Sequence, residues 1–173
     1  MRDQDWRVSV EIRNATADDW PAIWRFLHEI VAAGDTFSYD EHMDEAEARA
    51  MWLLHPPDRT TVAVEHGLVV GSANMYPNHD GPGAHVASGN FMVDSTHRGQ
   101  GVGRALAEDM IDWARRRGFR AIQFNAVAES NAAAIALYTS LGFETLATIP
   151  EAFRHPEQGY VGLLLMYRRL TNR

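Results

Sequence analysis

The sequence contains no cysteine, so disulfide bonds, thiolate zinc sites and a cysteine nucleophile are all excluded. It also lacks a run of about 18 apolar residues, which a membrane-spanning helix would need. The segment MRDQDWRVSVEIRN has no apolar centre of the kind found in signal peptides. These absences predict a cytoplasmic protein with no membrane partner.

Basic residues are fewer than acidic ones: 16 Lys and Arg stand against 23 Asp and Glu, giving a net charge of -7. Binding to nucleic acid depends on clustered Lys and Arg that neutralise phosphates. The basic residues of this chain are scattered, apart from the run at 115–117. A general nucleic-acid-binding protein is therefore excluded, and a neutral or basic small partner is favoured.

Two catalytic motifs are also missing. The chain has no H-E-x-x-H or comparable cluster of metal ligands, although it contains eight histidines. It has no G-x-S-x-G nucleophile elbow. We therefore predict neither a metal site nor a serine hydrolase. The histidines are His28, His42, His55, His66, His79, His85, His97 and His155.

The length suits one domain, which we expect to span residues 1–173. Apolar periodicity predicts strands at 6–14, 60–65, 68–76, 86–93, 121–127, 143–149 and 160–167. It predicts helices from Thr16 or Asp18 to Gly34, and at 44–54, 101–117 and 131–141. This order is neither pure βαβ alternation nor all-β. It predicts an α/β (α+β) fold with a mixed sheet of about seven strands and helices on both faces.

The stretch THRGQGVGRAL, residues 96–106, follows a predicted strand and leads into a predicted helix. It lacks the Lys and the hydroxyl residue of a nucleotide triphosphatase loop. A dinucleotide fingerprint does not fit either, because the glycine spacing is G-x-G-x-G. The next predicted strand, AIQFNAV, also ends without the acidic residue that such a site needs. Glycine amides at a helix N-terminus can bind a pyrophosphate. The stretch predicts such a site, with an ordinary glycine-rich turn as the alternative.

Two segments carry a resemblance to a known family. The run RGQGVG, residues 98–103, resembles the acyl-CoA loop of the GNAT superfamily of N-acetyltransferases, and NAAAIALYTSLGFE resembles its second signature. The order of elements is similar along essentially the whole chain. The resemblance implies the GNAT fold, with a twisted, mixed and mostly antiparallel sheet, and acetyl-CoA or coenzyme A as the cofactor.

The resemblance also implies how the cofactor binds. Arg98 and the backbone amides of 100–103 would bind the pyrophosphate. Residues 91–93 would offer backbone groups to the pantetheine arm, where the strands at 86–93 and 121–127 splay apart. The implied cofactor-binding residues are Phe91, Met92, Val93, Arg98, Gly99, Gln100, Gly101, Val102, Gly103, Asn131 and Tyr138.

Asn131 and Tyr138 lie close to two turns apart on one predicted helix, so both can face one groove. The resemblance implies that Tyr138 protonates the departing thiolate and that Asn131 contacts the coenzyme. The alternative for Asn131 is a helix N-cap. The alternative for Tyr138 is a core aromatic beside Leu137 and Leu141.

Asn125 is the third catalytic candidate, because it interrupts the apolar strand QFNAV. A structural amide with satisfied hydrogen bonds is its alternative role. The segments FNAVAESN and IPEAFRHP resemble the GNAT branch that acetylates proline analogues such as azetidine-2-carboxylate. That resemblance implies substrate positioning by Asn125 and an aromatic pocket position at Phe91. Two positions depart from that branch: Ser88 stands where the branch has Asn, and Tyr138 stands where it more usually has Trp.

Two further segments are predicted to border the acceptor. Phe37 and Tyr39 lie in a polar loop between the first two helices, where they form either a ligand wall or a lid packed on the core. Residues 153–155 lie between the last two predicted strands and could close the other side. Arg154 could pair with a substrate carboxylate or be only a solvated surface charge.

The general base stays open, because no Glu occurs at 86–93. His85 is one candidate, since histidine titrates near neutral pH. Glu65 and Glu129 could act through water. Asn125 could instead position an amine that loses its proton to solvent.

The sequence therefore predicts an enzyme that transfers an acetyl group directly from acetyl-CoA to a small-molecule amine, with an amino acid or its analogue as first choice. A ternary complex is expected, because no cysteine can carry the acetyl group. The alternatives are a non-catalytic acyl-CoA-binding regulatory module and a protein N-terminal acetyltransferase. The resemblance also allows a homodimer.

Overall fold

The computed structural model describes residues 10–170. Within that range the strands are β1 (Glu11–Asn14), β2 (Arg59–Glu65), β3 (Leu68–Pro77), β4 (Val86–Val93), β5 (Ala121–Ala128), β6 (Glu144–His155) and β7 (Gly159–Arg169). The helices are α1 (Trp20–Ala33), α2 (Glu45–Trp52), α3 (Val102–Arg116) and α4 (Ala132–Ser140). The predicted order of elements is confirmed. Residues 6–9 of the first predicted strand lie outside the described residues.

The seven strands form one sheet in the order β1-β2-β3-β4-β5-β7-β6. Only β4 and β5 are parallel among the neighbouring pairs of this described sheet, and the others are antiparallel. A parallel pair needs a crossover connection, which α3 provides between β4 and β5. The sheet is therefore mixed and mostly antiparallel, as predicted.

The sheet packs against helices on both of its faces. Successive side chains of a strand point to opposite faces, so neighbouring residues of one strand belong to different core clusters. Val62 of β2 packs in the cluster of α1 and α2, whereas the next residue, Ala63, packs in the cluster of α3. On β4, Met92 belongs to the first cluster and Phe91 packs against the second. The cleft described below therefore has a rigid core on each side.

The ends of the first helix follow local chemistry. Pro21 lies in the first turn of α1, where a missing N–H costs nothing. Gly34 ends the helix in the left-handed conformation, with a φ of 65°. None of the helices within residues 10–170 is long and apolar enough to cross a membrane.

The predicted position of Phe153, Arg154 and His155 between two strands is wrong. These residues belong to β6 and pair with β7. The predicted strand ended at residue 149, directly before Pro150, and proline cannot donate to a strand ladder. However, β6 is the edge strand of the sheet, and its register shifts at this point, where Glu151 has a φ of 54°. An edge strand with a bulge can accommodate proline.

Candidate active site

A cleft opens where β4 and β5 separate. The two strands pair only at Val86–Ala121 and Ala87–Ile122. Beyond these pairs lies a cleft of about 730 Å³. The predicted splay is therefore present, and the unpaired backbone groups of β4 are free to bind an extended ligand arm.

The glycine loop lines this cleft between β4 and α3. Gly99 and Gly101 have φ values of 76° and 87°, a region that other residues reach only with strain. A Cβ atom at either position would meet no protein atom within 4 Å. Both glycines are therefore needed for the shape of the backbone rather than for packing. Their position at the N-terminus of α3 fits a pyrophosphate group.

Asp94 holds the start of this loop. Its carboxylate accepts hydrogen bonds from the backbone N–H and the hydroxyl of Thr96, at 3.0 and 2.7 Å, and pairs with Arg25 at 2.7 Å. Burial alone would raise the pKa of Asp94, but the bonds from Thr96 and the charges of Arg25 and His97 lower it below its usual value. Asp94 is therefore a charged anchor for the turn that carries Arg98.

Most of the predicted cofactor residues meet at the cleft, and Arg98 lines it as an exposed side chain. The side chain of Gln100 instead donates to the Thr96 carbonyl at 3.3 Å, and Val102 is buried in the core. For these two, the contact through backbone amides stays a prediction. The predicted residues that line the cleft are Phe91, Met92, Val93, Arg98, Gly99, Gly101, Gly103, Asn131 and Tyr138.

Asn131 is the N-cap of α4. Its Oδ1 accepts a hydrogen bond from the backbone N–H of Ala134 at 3.1 Å. The capping role is therefore present, and the same side chain lines the cleft. An N-cap holds the first turn of a helix rigid, so Asn131 also fixes the direction in which α4 presents Tyr138.

Tyr138 packs among three aromatic rings and lines the cleft. Its ring centroid lies 4.7 Å from that of Phe124, 5.9 Å from Phe143 and 6.0 Å from Phe91. Burial raises the pKa of Tyr138, so its hydroxyl keeps its proton at neutral pH. Tyr138 is therefore a packed aromatic that also lines the cleft, and its role as the proton donor stays a prediction.

Phe37 and Tyr39 border the other half of the cleft, which we call the acceptor half. Their rings stack at 5.0 Å, and Phe37 meets the edge of buried Trp52 at 6.4 Å. Burial raises the pKa of Tyr39, with a smaller contribution from Tyr76. The two aromatics therefore form a wall of the cleft that is itself packed on the core.

Asn125 lies at a bulge of β5, where the register with β7 shifts. Its Oδ1 accepts from Gln123 at 2.8 Å, and its Nδ2 donates to Asn78 at 2.6 Å. Asn125 lines the cleft and is exposed, but both ends of its amide are engaged. The structural alternative therefore fits these contacts, and a substrate role for Asn125 stays a prediction.

A match to a family model shows which family this chain belongs to. The model of the Acetyltransferase (GNAT) family matches residues 20–143. The chain belongs to the GNAT family. Enzymes of this family use acetyl-CoA, and the glycine loop and separated strands described above fit that cofactor.

Three relatives illustrate the range of similar GNAT proteins. The chain is 34% identical over 152 residues to the N-acetyltransferase aca1 of Schizosaccharomyces pombe, covering 79% of this chain and 73% of that protein. It is 31% identical over 149 residues to the L-methionine sulfoximine/L-methionine sulfone acetyltransferase of Salmonella typhimurium, covering 85% and 79%. It is 43% identical over 77 residues to the ribosomal protein bS18 alanine N-acetyltransferase of Escherichia coli, covering only 44% and 51%.

Two solved structures are similar over most of the chain. A GCN5-related N-acetyltransferase from Kribbella flavida is 58% identical, with a TM-score of 0.91 and coverage of 93% of this chain and 98% of that one. The structure of yncA from Salmonella typhimurium, which includes its cofactor acetyl-CoA, is 27% identical, with a TM-score of 0.80 and coverage of 95% and 96%. The predicted fold, enzyme class and cofactor are confirmed.

The candidate bases of this GNAT chain do not gather in the cleft. His85 lies in an exposed turn with Nδ1 3.0 Å from the Pro82 carbonyl oxygen, and Glu129 accepts from the Gly162 backbone N–H at 2.9 Å. Glu65 lies 3.6 Å from Nε2 of His97 and reaches the cleft only through that ring. None of the three predicted bases lines the cleft, whereas Asn125, predicted to position an amine that loses its proton to solvent, does.

Several residues that line the cleft were not assigned a role from the sequence. His97 was counted only as a histidine outside any metal motif. Of the segment 153–155, which was predicted to close the other side, His155 lines the cleft, whereas Arg154 is exposed and does not, so Arg154 fits the surface-charge alternative. Tyr76 and Asn90 come together through the pairing of β3 with β4. Apolar periodicity gives the strands but not their register, so the sequence offered no signal for this pair.

Proposed function

We propose that this GNAT enzyme transfers the acetyl group of acetyl-CoA directly to the amine of a small molecule, with an amino acid or an amino-acid analogue as the acceptor class. The observation that carries this proposal is the shape of the acceptor half. The stacked Phe37–Tyr39 pair borders it on one side, and His155 and the bulge at Asn125 contribute to its lining as well. Such a pocket suits a compact acceptor better than a long chain.

The charges that line the cleft also support an amine acceptor that carries a carboxylate group. The chain has a net charge of -7, yet Asp35 is the only carboxylate among the described residues that line the cleft. Arg98, Arg104, His97 and His155 line it as well. Anions are therefore favoured locally, which suits both the phosphates of the cofactor and the carboxylate of an amino acid.

Different residues of the cleft have different roles in acetyl transfer. Acetyl-CoA supplies the acetyl group as a thioester. The glycine loop and Arg98 hold the diphosphate, and the free edge of β4 orients the arm. As the new C–N bond forms and the C–S bond breaks, Tyr138 protonates the departing sulfur, and the amine releases its proton to solvent. The raised pKa of Tyr138 keeps this proton available at neutral pH.

Similar proteins support the acceptor class. The Salmonella typhimurium relative, which acts on methionine sulfoximine and methionine sulfone, is similar over 79% of its length. The relative that acts on a ribosomal protein is similar over only 51% of its length. The spacing of Asn125 and Asn131 adds proline analogues to the panel of candidate acceptors.

The test is thiol release from acetyl-CoA by the purified protein on a matched panel. The panel contains methionine sulfoximine, azetidine-2-carboxylate, common amino acids, simple amines lacking a carboxylate, and a peptide that begins with alanine. We expect an amino-acid acceptor to give a kcat/KM at least about 100-fold above that of the peptide, a difference equal to about 2.7 kcal/mol. A peptide preference would contradict the proposal and favour the protein N-terminal acetyltransferase.

Calorimetric titration with acetyl-CoA separates the remaining alternative. Binding of acetyl-CoA without thiol release on the whole panel would contradict the proposal and favour a regulatory module. The Tyr138 hydroxyl in the cleft argues for turnover, because binding alone does not need a proton donor.

A further inference from the structure

Beneath the acceptor half, β3 and β4 carry a patch of polar side chains on one face of the sheet. Asn74 pairs directly with Asn90, and Tyr76 pairs directly with Ser88. Directly paired residues of an antiparallel ladder share a face. Asn74 is only 2% exposed, whereas Tyr76, Ser88 and Asn90 line the cleft. Polar groups on a buried strand pair require hydrogen bonds. The bonds that these side chains already make therefore decide which donors and acceptors remain for a ligand.

The hydrogen bonds fix the orientation of the Asn90 amide. The backbone N–H of Asn90 lies 3.2 Å from the Asn74 side chain, and because an N–H can only donate, that Asn74 atom is Oδ1. The Asn90 side-chain atom 3.0 Å from the same Oδ1 must then be a donor, Nδ2. Its second N–H is directed to the Tyr76 hydroxyl oxygen at 3.3 Å. Both N–H groups of Asn90 are therefore used.

One acceptor atom remains on this side chain. No donor among residues 10–170 is bonded to Asn90 Oδ1, and Asn90 is only partly buried. Asn125 on the opposite strand differs, because both ends of its amide are engaged. Asn90 therefore presents a fixed acceptor oxygen, and the Tyr76 hydroxyl, which accepts from Asn90, has its own proton left to donate.

Asn90 also lies where acceptor and cofactor must meet. It directly precedes Phe91 on β4, beyond the two residues that pair with β5, and so adjoins residues 91–93, which are predicted to bind the pantetheine arm. A second depression of about 560 Å³ adjoins the cleft and shares Tyr39, Tyr76 and Asn90 with it. Asn90 is therefore at the junction between the cofactor edge and the space from which an acceptor can approach.

We propose that Asn90 Oδ1 accepts a hydrogen bond from an N–H of the acceptor amine and thereby holds the nitrogen for attack on the acetyl carbon. This inference rests on the proposed function of the same cleft. Asn90 takes no proton: the amine proton passes to solvent as the C–N bond forms. A primary or a secondary amine carries the N–H that this contact requires.

Two variants of equal size test the role of the oxygen. Asn90→Thr keeps an acceptor oxygen whose hydroxyl proton can bond to Asn74 Oδ1, while Asn90→Val has the same branched shape and no polar atom. Both branched residues suit a strand. We expect Asn90→Val to lower kcat/KM for the amine about 10-fold, mainly through its KM, which is the upper end of what one neutral hydrogen bond contributes. Asn90→Thr should stay within about fivefold of the wild type.

The controls separate binding of the amine from folding and from cofactor binding. Asn14→Ala removes an amide from an exposed position on β1 outside the cleft, where it accepts a hydrogen bond from Arg59 at 2.7 Å, and should leave kcat and KM unchanged. The Kd for acetyl-CoA should be similar in every variant, and each variant should stay folded at the assay temperature. If Asn90→Val does not fold, Asn90→Ala replaces it in the comparison with Asn90→Thr.

The outcomes are distinct. A lower kcat/KM in Asn90→Val with recovery in Asn90→Thr supports the proposal. Equal losses in both variants, or no loss in either, overturn it while leaving the proposed function intact. If the wild type acetylates no amine at all, the proposed function fails, and the role of Asn90 fails with it.

Discussion

Replacement of Tyr138 by phenylalanine removes one hydroxyl group and leaves the aromatic packing in place. The ring contacts with Phe124, Phe143 and Phe91, at centroid distances of 4.7 to 6.0 Å, do not involve the hydroxyl oxygen. We therefore expect the free energy of unfolding to change by no more than about 0.5 kcal/mol. For a domain of this size, that is a shift of about 1 to 2 °C in Tm.

The effect of Tyr138→Phe on catalysis should be much larger. A general acid contributes about 10²- to 10⁴-fold to a rate. The lower end applies here, because a thiol with a pKa of about 8.5 already leaves well without a proton donor. We expect kcat to fall about 100-fold, which corresponds to about 2.7 kcal/mol in the transition state. The Kd for acetyl-CoA should change less than about threefold, since packing is retained.

The dependence of this defect on pH follows from the direction of the pKa shift. Because burial raises the pKa of Tyr138, the protonated form persists below that raised value. The ratio of wild-type to variant kcat should therefore not fall between pH 7 and about 9 through titration of this group. Thiol release at saturating substrates measures it. Tyr160→Phe, which makes the same change at a side chain 67% exposed on β7, is the matched control. A loss of less than about threefold in Tyr138→Phe would refute the proton-donor role.

Three further predictions test the cofactor loop and the fold. Arg98→Ala should raise the Kd for coenzyme A, measured by calorimetry, about tenfold at low salt. The effect should be smaller at high salt, because the side chain is exposed and salt screens its charge. No change in Kd would contradict the diphosphate contact. Gly101→Ala, at a φ of 87°, should lower the free energy of unfolding by about 1 to 2 kcal/mol. Gly103→Ala, whose Cβ would meet its nearest neighbours at 3.6 and 3.7 Å, should not lower it in the same denaturant titration. Asp19→Asn should destabilise the protein at neutral pH by about 1 to 2 kcal/mol, a figure reduced for the solvent exposure of Arg13. The hydrogen bond from Arg13 lowers the Asp19 pKa to about 2. This stabilisation is therefore present above the ordinary value of 3.8 and is lost as the pH falls from about 4 to about 2. A difference in melting temperature between wild type and Asp19→Asn that does not change across that range would contradict it.

Local patterns located the residues predicted to bind the cofactor, whose contacts with it stay a prediction. The spacing of Gly99 and Gly101 predicted a glycine loop at a helix N-terminus, and both residues lie there with positive φ. The separation of Asn131 and Tyr138 predicted one helical face, and both line the cleft. These features lie within single elements or single turns, where sequence spacing translates directly into geometry.

The acceptor half depends on long-range pairing, which the sequence pattern does not contain. The Asn90 amide is oriented by Asn74, and this pair exists only through the register of β3 with β4. The position of Asn125 at a bulge depends on the pairing of β5 with β7. The strand predicted at 143–149 continues to His155 through Pro150, which an edge strand with a bulge can accommodate, and that edge position depends on the pairing of β6 with β7. In each case a tertiary contact decided what local preference could not.

Direct transfer of acetyl from acetyl-CoA to a small amine requires that both bind in one ternary complex. Initial rates of thiol release, measured over a grid of acetyl-CoA and acceptor amino-acid concentrations, test this mechanism. We expect intersecting double-reciprocal lines and thiol release that requires the amine, because the chain has no cysteine to carry an acetyl group. Parallel lines, or thiol release that proceeds equally without an amine, would contradict it.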